Sequence, residues 1–314
     1  MSSGPSSAVA AQQRRGIPVA AIVAMRPKQW LKNLLVFAAP LAAGSIFEPE
    51  VFWPSVEAFV AFCLMSSATY LLNDVRDVDA DRAHPTKRHR PIAGGDLPSS
   101  VALGLAAVLA VLAMALALSV NIGLAGVLLA YVVFTTSYSL FLKHEPVIEL
   151  ALLTMGFLLR AIAGGVASEL PISQWFLIVA GFGSLFMAAG KRFSELERSL
   201  RATDDEHEAA QRELFTRRSL AGYTPAYLRF VWGASAAVAI TAYCLWAFEV
   251  SAEPSSLPWA SWSVLPFVLA ILRYAADIDR GEAEAPEDVV LRDRVLLAMA
   301  ALWLVLFCLG ALGV

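Results

Sequence analysis

The chain has 314 residues, of which 58% are hydrophobic and only 16% charged, and its formal net charge is −3; the mean hydropathy is +0.63. A soluble domain of ordinary composition carries about 25% charged residues, so a soluble globular class is excluded and a polytopic membrane protein is expected. Cys63, Cys244 and Cys308 sit in apolar runs without metal-ligand spacing, which reads as small buried hydrophobes and implies no disulfide.

In chain order, residues 1–16 are rich in Ser, Ala, Gln and Gly and lack a long apolar core after Arg14-Arg15. They are expected to form a disordered tail and not a cleaved signal. Residues 17–314 are expected to form one intramembrane domain. Ile17 to Met25 is apolar but too short to span, and it abuts Arg26-Pro27-Lys28-Gln29-Trp30, as a segment lying in the membrane interface would. Runs long enough to cross a bilayer, about 17–25 residues each, lie near 29–47, 51–73, 99–118, 121–141, 147–167, 174–190, 226–248, 258–275 and 293–313, nine in all.

Lys and Arg gather on alternate connections, whereas 44–50, 119–123, 167–173 and 249–261 contain neither. Positive-inside bias then puts the N-terminus in the cytoplasm and, with an odd number of spans, the C-terminus outside. The basic face suits an anionic soluble substrate or an acidic lipid headgroup; nucleic acid is not needed to explain it.

The second span ends in Asn73-Asp74-Val75-Arg76-Asp77-Val78-Asp79-Ala80-Asp81-Arg82. At about 100° per residue, Asn73, Asp74, Asp77 and Asp81 share one face if the helix continues, and Asp79 points elsewhere. Such hard oxygen donors suit Mg2+, which typically keeps waters and binds substrate phosphates. The alternative is a solvated helix end whose acids pair with Arg76, Arg82 and Lys87. The loop that follows carries Arg82, His84, Lys87, Arg88, His89 and Arg90, then Pro91 and Gly94-Gly95. Dense cationic donors beside Mg-type ligands are what a diphosphate requires, although a basic loop also sets topology. Lys28 divides between these two roles, while Lys32 and Trp30 read as interface anchors.

Tyr138 and Lys143 place donors at the same level, at the end of the fourth span. Arg160 lies roughly 20 Å along the fifth; it must face protein or water, and a structural partner and a ligand are both open. The sixth span ends in Lys191-Arg192-Phe193-Ser194-Glu195, where Lys191 and Glu195 also have the spacing of a helix pair. Thr203-Asp204-Asp205-Glu206 then opens a charged cap helix, with Arg217, Arg218 and Tyr223 available to turn toward the site. No Walker A loop, HExxH, GxSxG or CxxC pair occurs, which removes support from hydrolase and ATPase classes.

Asn73-Asp74-x-x-Asp77-x-x-x-Asp81, followed by Arg82, Lys87, Arg90-Pro91 and Gly94, resembles the UbiA superfamily of intramembrane prenyltransferases over nearly the whole chain. The resemblance implies an all-α bundle of nine transmembrane helices with a cytoplasmic polar cap, in which Asn73, Asp77 and Asp81 hold Mg2+ on a diphosphate and Asp74, Asp77 and Asp81 are the catalytic acids. Substrate contacts fall on Lys28, Asn73, Arg82, Lys87, Arg90, Tyr138, Lys143, Lys191, Arg192 and Glu195. Most members carry a second Asp-rich motif after the sixth span, and this chain has Lys191-Arg192 there. Together with Arg26-Pro27-Lys28-Gln29-Trp30-x-Lys32-Asn33, that departure resembles the branch that transfers phosphoribose from phosphoribosyl pyrophosphate to polyprenyl (decaprenyl) phosphate in cell-wall arabinan synthesis. Such a protein would be multi-pass in the plasma membrane with its site facing the cytoplasm. A conventional prenyltransferase using a prenyl diphosphate is the alternative, with a lipid transporter behind it; homo-oligomers packed through helices are left open.

Overall fold

The computed structural model describes residues 16–142, 144–201, 220, 222–250, 257–283, 289 and 292–312. The expected tail before Gly16, Lys143, and the expected cap helix with Arg217 and Arg218 lie outside the described residues. Ordered secondary structure among the described residues is helical. A short α1 (Ile17–Ala24) leads through a 3-10 segment (Pro27–Phe37) into α2 (Ala38–Ala42), α3 (Pro49–Arg76) and α4 (Val78–Ala83). Long helices follow: α5 (Ser99–Val120), α6 (Ile122–Ser137), α7 (Ile148–Ala167), α8 (Gln174–Arg201), α9 (Pro225–Val250), α10 (Trp259–Asp279) and α11 (Arg294–Ala311). With α6 running on through a π-helical turn at Tyr138–Leu142, α3 and α5–α11 make eight helices among the described residues that are long and apolar enough to cross a membrane.

The first expected span, 29–47, is not a long helix. Pro27 opens it, Pro40 interrupts its backbone donors, and eleven residues take 3-10 geometry, an unusual length for that conformation. Its side chains tie it to α3. Trp30 Nε1 donates to Ser67 Oγ at 3.0 Å, and Asn33 Nδ2 contacts Cys63 Sγ at 3.2 Å and Ser66 Oγ at 3.4 Å. The segment also needs Gly164, since a Cβ there would lie 2.0 Å from the Val36 carbonyl oxygen.

Elsewhere the bundle packs through small residues. Ala58, Ala61, Ala113, Ala117 and Ala163 let α3, α5, α6 and α7 close on Phe62, Leu124 and Leu128. Lipid is as apolar as a leucine, so close approach and dispersion, not burial from water, favour this packing. Val108, Val111 and Leu112 of α5 point outward, as a lipid-facing surface requires.

Consecutive long helices are antiparallel, which gives the molecule two ends. At one, Asn121 caps α6 by accepting from Leu124 N–H and donates to the Val166 and Ala167 carbonyls of α7. A small cavity of about 40 Å³ also lies there, lined by Ala39, Leu170, Phe176 and Trp246, far from any charged cluster. At the other end meet the C-termini of α3, α6, α8 and α10 and the N-termini of α5, α7, α9 and α11. Contacts of Arg76 with Ser139 O, Arg192 with Glu149, Arg201 with Arg280 O and Arg229 with Asp279 tie them together. The acidic motif belongs to this polar end.

Candidate active site at the polar end

Asp77 is a hinge. Its ψ of 13° ends α3 and starts α4, so the single continuous helix assumed from the sequence is kinked here. Hydrogen bonds from Asp77 N–H to Asn73 O (2.9 Å) and from Asp81 N–H to Asp77 O (2.8 Å) nevertheless carry i, i+4 spacing across the kink. Asn73, Asp77 and Asp81 therefore follow one another up one side, and Asp74 turns into the bundle, where it is buried.

The carboxylates differ in what they hold. Asp74 Oδ1 accepts from Arg26 Nη2 at 2.5 Å and from Arg90 Nη1 at 3.2 Å, while Asp81 Oδ2 accepts from the same Arg90 nitrogen at 2.7 Å. Asp74 is thus a buried counter-ion to two arginines. Asp79 points to solvent and pairs with Arg82 at 3.3 Å, on the other face as its phase implies. Arg76 binds the Ser139 carbonyl at 2.8 Å instead of an acid. Asn73 and Asp77, both half-buried, make no side-chain hydrogen bond or ion pair with another described residue.

Arg82 Nε donates to Ala93 O at 3.3 Å, and turns closed by Arg90 N–H to Lys87 O and Gly94 N–H to Arg90 O shape the basic loop. Lys87 is half-buried and Lys28 exposed at the same end. The loop reaches back over the acidic motif through Arg90.

No three His, Cys, Asp or Glu side chains converge as a preformed metal cage among the described residues. The donor set still fits a hard divalent cation that completes its shell with water and phosphate. Asn73 and Asp77 leave their oxygens uncommitted at i, i+4 spacing, and Asp81 is bound through Oδ2 alone. Asp74, doubly paired, is the one acid of the motif that the geometry removes from such a set.

A second ionic cluster joins α7 to α8. Arg192 Nη2 binds Glu149 Oε1 at 2.8 Å and Nη1 binds Glu195, with side chains only 5% (Arg192), 2% (Glu149) and 16% (Glu195) exposed. Tyr138 OH lies 3.5 Å from both Glu149 and Arg192. Arg192, read from sequence as a substrate contact, is therefore consumed by two carboxylates, and Glu195 by Arg192. Lys191, beside it, is half-buried.

The connection into α7 is strained. Val147 has φ 68° and ψ −52°, and Ile148 N–H donates to Pro146 O at 2.8 Å, a three-residue turn that a β-branched residue rarely enters. Tyr223 OH accepts the Val147 N–H at 2.8 Å and stabilises the turn. Burial pushes the Tyr223 phenol up to about 12, so it stays protonated at neutral pH.

Arg160 has structural partners. Its Nε donates to Asn33 Oδ1 (2.7 Å), Nη1 to Gly156 O (2.6 Å) and Nη2 to Tyr131 OH (2.9 Å), with its charge over the rings of Phe62 and Tyr131. It pins the irregular first segment to α6 and α7.

Sequence reasoning had no role for Glu149, and it used Arg26 as a positive-inside charge and as part of the motif of the resemblance without assigning it to the site. Glu149 was detectable as a lone acid opening an apolar span, a position where ionisable residues tend to be functional or paired. The pairing of Arg26 with Asp74 shows only in the fold.

An antiparallel membrane bundle with an acidic helix end under a basic loop defines a family. The profile of the UbiA prenyltransferase family matches residues 34–298, and the chain belongs to that family. Within it, the chain is 48% identical over 293 residues to the decaprenyl-phosphate phosphoribosyltransferase of Corynebacterium glutamicum, covering 92% of this chain and 85% of that one. It is 46% identical over 303 residues to the enzyme of the same name from Mycobacterium tuberculosis, covering 95% and 96%. Among solved structures, a UbiA homolog from Archaeoglobus fulgidus bound to GPP and Mg2+ matches with a TM-score of 0.66 at 16% identity, over 94% of this chain and 100% of that one, a likeness of fold.

Proposed function

We propose that the protein transfers 5-phosphoribose from phosphoribosyl pyrophosphate to a polyprenyl phosphate of the decaprenyl type, releasing diphosphate, as a step toward cell-wall arabinan precursors. The observation that carries this reading is the identity of nearly half the residues, across almost the full length of both chains, to relatives named for that activity.

The chemistry suits the residues. A phosphate monoester, with a second pKa of about 6, is anionic at neutral pH and attacks the anomeric carbon without a general base. As the new C–O bond forms, the bond from that carbon to the diphosphate breaks, and negative charge develops on the leaving group. Arg90, which contacts Asp74 and Asp81, and Arg82 and Lys87 on the same loop are the cations proposed to receive it, with Lys28 at the same end. Asn73, Asp77 and Asp81 would hold Mg2+, which when bound neutralises the diphosphate. Asp74 holds Arg26 in place and shares Arg90 with Asp81. Lys191, at the end of α8, is assigned a phosphate oxygen of the sugar or of the lipid, as are Tyr138 and Lys143 from sequence.

The polar end faces the cytoplasm in this reading, and the protein resides in the plasma membrane. A reporter active only in the cytoplasm is then expected to work when fused before Met1; failure there, with activity after Val314, reverses the orientation.

Incubation of purified protein with labelled phosphoribosyl pyrophosphate, Mg2+ and either a polyprenyl phosphate or an aromatic acceptor tests the function. Label is expected to enter the lipid phosphate alone. In a parallel incubation with a prenyl diphosphate as donor, transfer to the aromatic acceptor, with no labelled lipid in the first, would establish the conventional prenyltransferase instead.

A further inference from the structure

Arg26 and Arg90 both neutralise the motif, but they are held differently. Arg26 stands at a left-handed corner (φ 55°) between α1 and the 3-10 segment. Its N–H donates to Val23 O at 3.1 Å, its guanidinium lies 5.0 Å over the Tyr70 ring, and Nη2 is 2.5 Å from Asp74. Bundle helices fix it on three sides. Arg90 sits on the loop and touches both acids through one nitrogen, Nη1. Its Nε and Nη2 donate to no group among the described residues.

The two acids would respond differently if Arg90 left. Asp74 keeps Arg26, whereas Asp81 has no second cation within ion-pair distance among the described residues. Asp81 is also the acid that continues the Asn73 and Asp77 series. Arg90 therefore holds Oδ2 of the carboxylate that completes the metal set, with the rest of its planar donor fork unspent and matched to phosphate oxygens.

We propose that Arg90 is an exchange latch: it neutralises Asp81 in the empty site, yields that carboxylate to the divalent cation, and swings its guanidinium onto the diphosphate. This rests on the metal reading given above. A cation that takes Asp81 through Oδ2 must displace Arg90 from it and leave that guanidinium only its 3.2 Å contact with Asp74. When diphosphate arrives too, the displaced guanidinium gains a new partner, so each ligand strengthens the binding of the other. Coupling of this kind is reciprocal and typically amounts to about 5- to 150-fold.

Binding of Mn2+, a spectroscopically visible stand-in for Mg2+, tests the latch with the full chain in lipid nanodiscs, without reference to turnover. Arg90→Gln is expected to bind Mn2+ alone about five- to tenfold more tightly than the wild type, at the lower end of that coupling range. Equal or weaker binding by a folded Arg90→Gln protein overturns the latch and leaves the metal reading intact, whereas no binding by either protein overturns both. A second readout uses the wild type alone and covers the case of a variant that does not fold. Hydrogen exchange at the amides of Arg90, Gly94 and Leu97, bonded to Lys87 O, Arg90 O and Pro91 O, should quicken with Mg2+ alone and slow below the empty level when inorganic pyrophosphate is added. Slowing by Mg2+ alone would mean that the cation orders the loop and that Arg90 does not let go.

Discussion

Two ionic clusters stand at the same end of the bundle and use the same kinds of group, yet one is built to exchange partners and the other to stay. In the α3 cluster the arginines are 29% and 30% exposed over Asp74 and Asp81, which are only 4% and 6% exposed. In the α7–α8 cluster the arginine itself, Arg192, is 5% exposed between Glu149 and Glu195. A guanidinium that is partly in water can change partners at lower cost, whereas one enclosed by carboxylates cannot leave without stranding buried charge. The proposed chemistry belongs to the α3 end, and the α7–α8 cluster is the one with the more deeply buried arginine.

The largest expected effect lies on the exchanging side. Asp77→Asn removes a carboxylate without changing shape, and turnover should fall roughly a thousandfold or more if several kcal/mol of charge stabilisation go with it, at 1.36 kcal/mol per decade. Steady-state kinetics in detergent or nanodiscs will show it. On the fixed side, Glu149→Ala should lower stability by about 1–3 kcal/mol, because Arg192 loses one of its two buried carboxylates and keeps only Glu195, read as a loss of unfolding temperature; a variant as stable as the wild type would mean that the Arg192–Glu149 pair contributes nothing.

Lys191 stands next to Arg192 in α8 and is half-buried. Lys191→Asp should reduce phosphoribosyl transfer by up to about a hundredfold, the value of a charge-assisted phosphate contact of about 1.5–3 kcal/mol, and Lys191→Ala should do less damage. Wild-type efficiency in Lys191→Asp would make the lysine a helix-end charge only. Least affected is Asp79→Asn, which faces solvent and should stay within about 0.5 kcal/mol in stability, with turnover near the wild-type value; a large loss would show that the wrong face of the motif has been assigned.

Much of this was legible because membrane sequences expose their patterning. Eight of the nine expected spans match long helices, and the basic loops collect at one end because the chain alternates direction. The segment at 29–47 misled for a physical reason. A short apolar run has the same composition in α and 3-10 geometry, and it is distant partners, Ser67 for Trp30 and Arg160 for Asn33, that satisfy the irregular form. The phase of Asn73, Asp77 and Asp81 could be read from spacing, but the hinge at Asp77 could not. Nor could the commitments of Asp74 and Arg192, whose partners Arg26 and Glu149 lie 48 and 43 residues away in the chain. Residue types show which groups can bind phosphate; only the fold shows which are already taken.

The most direct test of this division measures turnover and unfolding temperature on the same preparations of Asp77→Asn and Glu149→Gln. The account predicts a crossed result: Asp77→Asn melts with the wild type but scarcely turns over, whereas Glu149→Gln melts early yet, at a temperature where it remains folded, keeps turnover within about tenfold, less than 1.4 kcal/mol at the transition state. An active Asp77→Asn protein beside a stable but inactive Glu149→Gln protein would contradict it and move the reactive centre to the α7–α8 seam.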